Sequence, residues 1–333
     1  MKFNPKNSIY KVIAIAKDKK IYDVTGAVIH LNWNDSDGEL ARKCMLDLVN
    51  AKIEKNKWLT SILDENTRVI LYADVGEGPK EILKSTCWIW DYVSGDSKEL
   101  SLVLYEDSFY LTRSEGNFFK PKGKQTKEIV EEICKKAGIK VKYEYESIKH
   151  QAIKFRAKKY SDMIAELLKE VEKEKKDKFQ LLIEDDTLVI RKRGKSNKYI
   201  LTINNTSIVK HKKDKSNMVT KVVITSSPSK ADKEPGVIKE ITGNTEKYGT
   251  IQKIITKAKK DKENEAGKEA DQVLKDQGKP EETISVENAP DYPFLRKGEK
   301  INLRAGNQIG EYYILSCSHY ADKKTMNIEL EKV

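Results

Sequence analysis

The last third of the chain sets the tightest limit on its fold. Asn217–Ser226 (NMVTKVVITS) is rich in β-branched residues and reads as a strand. The lysine-rich stretch Tyr248–Gln277 reads as a helix with Ile251, Ile254 and Ile255 on its first turns, stopped by Gly278 and Pro280. Leu295–Leu303 (LRKGEKINL) and Gly310–Val333 then read as a closing strand pair. A strand, a long helical insertion and a terminal strand pair describe a β-barrel interrupted by an insertion. The segment holds no cluster of residues able to do chemistry.

A chain of 333 residues exceeds one ordinary core, and two or three domains are expected. With 35% charged and 38% hydrophobic residues, it has a heavily charged surface and enough apolar side chains for packed cores. No apolar run approaches the roughly 20 residues of a membrane helix. The N-terminal MKFNPKNSIYKVIAIAKDKK has only the short apolar patch Val12–Ala16, so neither a signal peptide nor a membrane anchor is expected. Cys44, Cys87, Cys134 and Cys317 are widely separated without a CxxC pair, and read as small buried hydrophobes. His30, His150, His211 and His319 fall in four different segments, which gives no zinc motif. No metal and no cofactor are therefore expected. The net charge of +11 resides largely in mixed runs such as Lys169–Lys178 (KEVEKEKKDK) and Lys257–Glu269 (KAKKDKENEAGKE), the pattern of solvated helix faces. The densest cluster, Lys210–Lys215 (KHKKDK), is expected at a hairpin tip or loop.

Patterning divides the chain into three regions. Residues 1–116 read as mostly β: Asp23–Trp33, Thr67–Ala73, and a hairpin of Glu81–Val93 with Lys98–Tyr105 across Ser94–Ser97, with a turn at Gly76–Pro79. Leu40–Asn50 alternates like a strand but is compatible with a helix. Residues 117–197 read as an α/β module. Thr126 caps a helix whose face is Ile129, Val130, Ile133 and Cys134, with Gly138 as its stop. Ser161 starts a second helix with Met163, Ile164, Leu167, Leu168 and Val171 on one face, and Phe179–Glu184 and Thr187–Arg193 form a hairpin around Asp185-Asp186. Residues 198–333 return to β, with the helical insertion at about 247–279 and a polar loop at Pro228–Pro235. The fold class expected is α+β, mostly β: two small β-barrels, an α/β module, and a helical insertion in the second barrel.

Signatures of common chemistries are missing: no GxSxG, no HExxH, no GxxxxGK[ST], and no strand–GxGxxG–helix unit. No catalytic residue is assigned and no enzyme is expected. Trp88, Trp90 and Tyr92 share one strand face by alternation and are read as packing residues rather than a sugar platform.

Several weak motifs in ordered succession resemble the XkdQ/YqbQ family of phage-like elements. They are Leu31-Asn-Trp-Asn, Ala41-Arg42-Lys43, Thr67–Tyr72, Leu102–Leu111, Thr126–Gly138, Tyr160–Leu168, the Phe179–Arg193 hairpin, Val219–Ile224, Tyr248–Gln252, Lys297-Gly298-Glu299 and Gly310–Leu330. The resemblance implies a baseplate hub of a contractile tail or a tail-like particle such as an R-type bacteriocin. Such a hub is a homotrimer whose paired barrels make a pseudo-sixfold ring between the tail tube and the central spike. Baseplate wedge and tape-measure proteins are implied neighbours, and DNA is implied only as cargo through the lumen. It also implies that Leu40–Asn50 is a strand, and that the protein is made in the bacterial cytoplasm and built into the particle. For the subunit interface, the supposed edge strands nominate Val219, Val222, Ile224, Met326, Ile328 and Leu330. Two other readings stand beside this one. A tail-associated cell-wall hydrolase is weakened by the missing motifs, and a nucleic-acid-binding protein rests on net charge alone.

Overall fold

The computed structural model describes residues 8–53, 57–94, 98–194, 199–202, 208–226, 235–257, 263–305 and 308–333. Residues 95–97 of the expected hairpin turn, most of the Pro228–Pro235 loop and the first part of the Lys257–Glu269 run lie outside the described residues. The protein is mostly β, with 52% strand and 19% helix in several sheets. The strands and helices run, in chain order, β1 (Ile9–Ile15), β2 (Ile21–Asp23), β3 (Val28–Ser36), β4 (Lys43–Val49), β5 (Arg68–Asp74), β6 (Lys80–Val93), β7 (Glu99–Tyr105), α1 (Tyr110–Arg113), β8 (Glu115–Lys120), α2 (Thr126–Lys136), β9 (Lys140–Glu144), β10 (Ile153–Lys159), α3 (Tyr160–Lys175), β11 (Phe179–Glu184), β12 (Thr187–Lys192) and β13 (Tyr199–Thr202). They continue with β14 (Ile208–Asp214), β15 (Lys221–Ser226), β16 (Val237–Thr242), α4 (Thr245–Tyr248), β17 (Gln252–Lys257), α5 (Glu263–Gln277), β18 (Glu281–Pro290), β19 (Lys300–Ala305), β20 (Gln308–Tyr320) and β21 (Thr325–Lys332). One compact unit comprises Met1–Val209 and Ser285–Val333; a second comprises Lys210–Ile284.

In the first unit one sheet runs β18-β21-β20-β3-β4-β7-β6-β5-β1-β2, with β19 also on β20 and β13 on β19. Strands from both ends of the chain meet where β3 pairs antiparallel with β20, Trp33 opposite His319 and Asp35 opposite Cys317. The strand path closes on itself nowhere among the described residues, so the two closed barrels expected from the sequence are not seen. Alternation explains the sheet. In β7, Leu100, Leu102 and Leu104 are buried while Ser101, Val103 and Tyr105 turn outward, and β4 repeats the pattern with Cys44, Leu46 and Leu48. Within Leu40–Asn50, Lys43–Val49 thus resolves as a strand. The expected strand Asp23–Trp33 breaks in two. Thr25–Ala27 forms a 3₁₀ turn, held because the Thr25 hydroxyl accepts the Val12 N–H (2.9 Å) and Asp23 accepts the Thr25 N–H (3.1 Å).

The module of α2, α3, a β8–β10 pair and the sheet β11-β12-β9 belongs to the same unit. The stripes read from sequence are its core: Ile129, Val130, Ile133, Cys134, Met163, Ile164, Leu167, Leu168 and Val171 are fully buried. Asp185 and Asp186 both take positive φ (48° and 59°), the two-residue turn suited to a twisted hairpin. All four cysteines are free and buried, and burial pushes the Cys44, Cys87 and Cys134 thiols up to about 12. Among the described residues no helix is long and apolar enough to cross a membrane.

The second unit corrects the opening reading. Tyr248–Gln277 is not one helix: α4 ends before Gly249, and β17 follows, pairing parallel with β15 over Lys221–Ser226. The β-branched Ile254 and Ile255 therefore sit on a strand, where such side chains fit a half-buried pleat. Thr220 pins the switch: its hydroxyl donates to the Gly249 carbonyl and accepts the Ile251 N–H, both at 2.7 Å. Only α5 remains helical, with Ala270 packed on Val219, Val222 and Ile224. Lys210–Lys213 is likewise a strand segment, not a loop, and His211 and Lys213 pair with Glu282 at 3.2 and 2.9 Å.

In the first unit's sheet, Leu104→Ala should cost about 2–5 kcal/mol and the adjacent outward Val103→Thr less than about 1 kcal/mol in urea melts. Equal costs would contradict the alternation.

Candidate functional site

The turn Leu295–Glu299, read from sequence only as a feed into a strand, is the most heavily wired segment of the first unit. Asp35, at the end of β3, is buried at 1% exposure. Arg296 Nε donates to its Oδ2 at 2.5 Å, and Lys297 Nζ stands 3.4 Å from its Oδ1. Lys297 Nζ also donates to the carbonyls of Ser36 (3.0 Å) and Glu39. From the α/β module, Gln180 donates its amide to the Lys297 carbonyl, and Arg296 Nη1 reaches the Ile183 carbonyl at 3.3 Å. Gly298 donates to Ile314 (2.7 Å) and accepts from Gly194 (2.8 Å). It has φ +73°, and a Cβ would meet the Gln180 side chain at 2.6 Å, so glycine is required twice over. A second buried pair closes the flank: Arg42 sets Nε and Nη2 on Glu106 Oε1 at 3.0 and 2.7 Å.

Burial alone would raise the Asp35 carboxyl, but the Arg296, Lys297 and Arg42 charges overcome it and hold it well below the usual range. Glu299, which accepts the Arg296 N–H at 3.1 Å, is pushed up to about 7 by burial.

Two other clusters have the connectivity of catalytic groups. Thr126, His150 and Glu170 form a chain of 2.8 and 2.7 Å contacts, the order of a nucleophile–base–acid relay. Thr126 is fully buried, however, and its hydroxyl also bonds both the N–H (3.1 Å) and the carbonyl (3.3 Å) of Ile148. The cluster fastens Ile148–His150 to the start of α2. The helix cap itself is Gln125, one residue before the expected Thr126. His319 Nδ1 meets Asp291 Oδ1 at 2.6 Å, both fully buried, and Tyr10 donates to the other Asp291 oxygen. The imidazole stacks on Trp33 at 4.6 Å, and its Nε2 has no hydrogen-bond partner among the described residues. No nucleophile is bonded to it among the described residues, and this pair braces β20, β3 and β1. Among the described residues no group of three or more His, Cys, Asp or Glu side chains could hold a metal. A groove of about 740 Å³ runs past Asp37, Tyr105, Phe109, Asp162 and Glu172, with lysines among its walls.

The six nominated interface residues lie inside the fold. Val219, Val222 and Ile224 pack together in the second unit, while Met326, Ile328 and Leu330 are buried on β21 of the first. Neither strand is an edge, contrary to the sequence reading: β15 lies between β16 and β17, and β21 between β18 and β20. The exposed apolar positions are elsewhere. Met45, Val103 and Ile89 form one cross-strand row on the outer face of β4, β7 and β6, with Met45 40% and Ile89 55% exposed. Trp88 is displaced from Trp90 and Tyr92 by a bulge and packs on Phe109 and Tyr110. Arg296 and Lys297 were invisible as partners of Asp35 because some 260 residues separate them; the Lys297-Gly298-Glu299 triplet was the available signal.

A family model described as YQBQ-like matches residues 32–331. A 43 kDa tail protein of prophage MuSo2 from Shewanella oneidensis superposes with a TM-score of 0.70 at 15% identity, covering 97% of this chain and 98% of that one. A tail protein from Neisseria meningitidis MC58 gives 0.66 at 12% identity, covering 96% and 95%. The Escherichia coli c3393 protein gives 0.53 at 11% identity, covering 99% of this chain and 75% of its own. It is described as a type VI secretion component structurally similar to the T4 tail proteins gp27 and gp5. No curated protein matches the sequence.

Asp35→Ala leaves Arg296 and Lys297 buried without their anion and should cost about 3–5 kcal/mol in urea melts. The pH signs are opposite for the two carboxyls. Asp35, lowered in the fold, stabilises fully above about pH 5 and loses its contribution as pH falls below its unfolded value near 3.9. Glu299, raised in the fold, costs stability as pH climbs from about 4 to about 7. Glu299→Gln should therefore gain on the order of 1–3 kcal/mol over wild type at pH 8 and about nothing at pH 4. A gain independent of pH would contradict the assignment.

Proposed function

This chain belongs to the YQBQ-like family, and from that membership we propose that it is a structural component of a phage tail or tail-like particle, specifically its baseplate hub. Three copies form a ring joining the tail tube to the central spike, with wedge and tape-measure proteins as neighbours. The observation that carries this reading is the extent of the likeness: it takes in 97% of this chain and 98% of a prophage tail protein, the whole architecture rather than a shared domain. Strands from the two ends of the chain meet in one sheet at β3 and β20, so each copy brings two β-rich regions side by side. Three copies then offer six docking places to a sixfold tube. The protein's place is the particle, DNA passing through the ring only where the particle carries a genome, and no catalytic step is assigned to it.

The Met45–Val103–Ile89 row is the surface for contact between copies. An outward apolar row across three adjacent strands buries area without disturbing the core beneath it. Light scattering on the purified chain, alone and with tube and spike proteins, should give three copies per assembly. The Met45→Lys/Ile89→Lys variant should keep its melting temperature within about 2 °C and weaken assembly about tenfold or more. A chain that stays monomeric under every one of these conditions would refute the reading.

A further inference from the structure

The positive charge of this chain is concentrated in one segment. The mixed runs Lys169–Lys178 and Lys257–Glu269 each carry a net charge of only +1. Residues 115–160 hold thirteen lysines and arginines against six glutamates, which is +7 of the chain's +11. This segment begins and ends in the two-stranded ribbon of β8 and β10.

The ribbon has two unlike faces. Phe118, Ile153 and Phe155 turn inward and are buried in the core of the α/β module. Alternation turns Phe119, Lys154 and Arg156 outward. Phe119 is 64% exposed and stands directly opposite Lys154, so ring and ammonium are cross-strand neighbours on one face. A bulge follows Phe155, fixed where Asn117 Oδ1 accepts the Ala157 N–H at 2.9 Å. Glu115, opposite Lys159, is the only carboxylate on either strand. Past the ribbon the two chain segments stay side by side. Gly123 donates to the His150 carbonyl at 2.9 Å and His150 to the Lys124 carbonyl at 3.0 Å, which brings Lys122 and Lys149 onto its continuation.

Lys122, Lys149, Lys154, Arg156 and Lys159 are all exposed and form no ion pair among the described residues. Their inward neighbours differ: Lys120 is held by Glu132 and Lys158 by Glu166. Unpaired cations around an outward aromatic ring can hold phosphates and stack a base at the same time. An acidic peptide would use the cations and leave the ring idle, and a duplex keeps its bases stacked within itself.

We propose that the outer face of the β8–β10 ribbon binds single-stranded nucleic acid, with a base on Phe119 and neighbouring phosphates on Lys154, Arg156 and the lysines beside them. The site does not rest on the hub reading, since it needs neither ring nor particle.

Fluorescence anisotropy of a labelled twelve-residue oligothymidylate, titrated with the purified full chain, tests it. The Kd should be about 1–100 μM at 0.1 M salt and rise with salt. Lys154→Gln/Arg156→Gln should weaken binding about tenfold and flatten the slope of log K against log salt by about 1.4, the loss of two phosphate contacts. Phe119→Leu keeps the charge and an apolar side chain, and should weaken binding about fivefold or more through lost stacking, with the slope unchanged. These positions are exposed, so both variants should melt within about 2 °C of wild type. A control that removes the same charge elsewhere, Lys17→Gln/Lys20→Gln, should stay within about twofold. A labelled octaglutamate peptide should bind at least about tenfold more weakly than the oligonucleotide. Absence of oligonucleotide binding, equal weakening in the control, wild-type binding by Phe119→Leu, or peptide binding as tight as the oligonucleotide would each overturn the proposal.

Discussion

The first unit is organised around one buried anion. Asp35 sits at the end of β3, and the turn Leu295–Glu299 brings both Arg296 and Lys297 to it. Two cations out of water are costly unless every donor is used. Here Asp35, the carbonyls of Ser36 and Glu39, and that of Ile183 in the α/β module offset part of that cost. Apolar burial holds the sheet and the module each together, but burial is tolerant of sliding. A clamp of directional bonds is not, and it fixes which face of the hairpin β11–β12 meets the turn. In a protein with no chemistry assigned to it, position is the product, and this clamp sets position within the unit.

What could be read from the sequence was what repeats locally. The stripes of α2 and α3, the Asp185-Asp186 turn, the Glu81–Tyr105 hairpin and the buried cysteines all follow from short-range pattern. The misreadings have equally physical causes. Ile254 and Ile255 are compatible with a helix or a strand, and the parallel partner β15, about thirty residues upstream, decides between them. Val219–Ile224 and Met326–Leu330 looked like edges because each was judged without its neighbours, and sheet order is not written in a strand's own residues. The contact of β3 with β20, the Asp35 clamp and the Asp291–His319 brace each join residues far apart in the chain or hide in turns, where residue types carry little information about partners.

The likeness to tail proteins at 12–15% identity carries the same lesson. At that distance few residues are shared, while the fold persists. Alternation also leaves a full outer face free. Beneath Met45, Val103 and Ile89 the inward Leu46, Leu102 and Leu104 are nearly or wholly buried, so the outer row is available for assembly without cost to the core. The proposed ring would need this division of labour, one face for the chain's own stability and the other for its neighbours.

A cryo-EM map of the particle tip, computed without imposed symmetry, tests the central claim most directly. The account predicts three copies of this chain in a closed ring on the particle axis, each presenting two β-rich regions to the sixfold tube. A map with one or six copies on the axis, or with the chain absent from the tip, would contradict it.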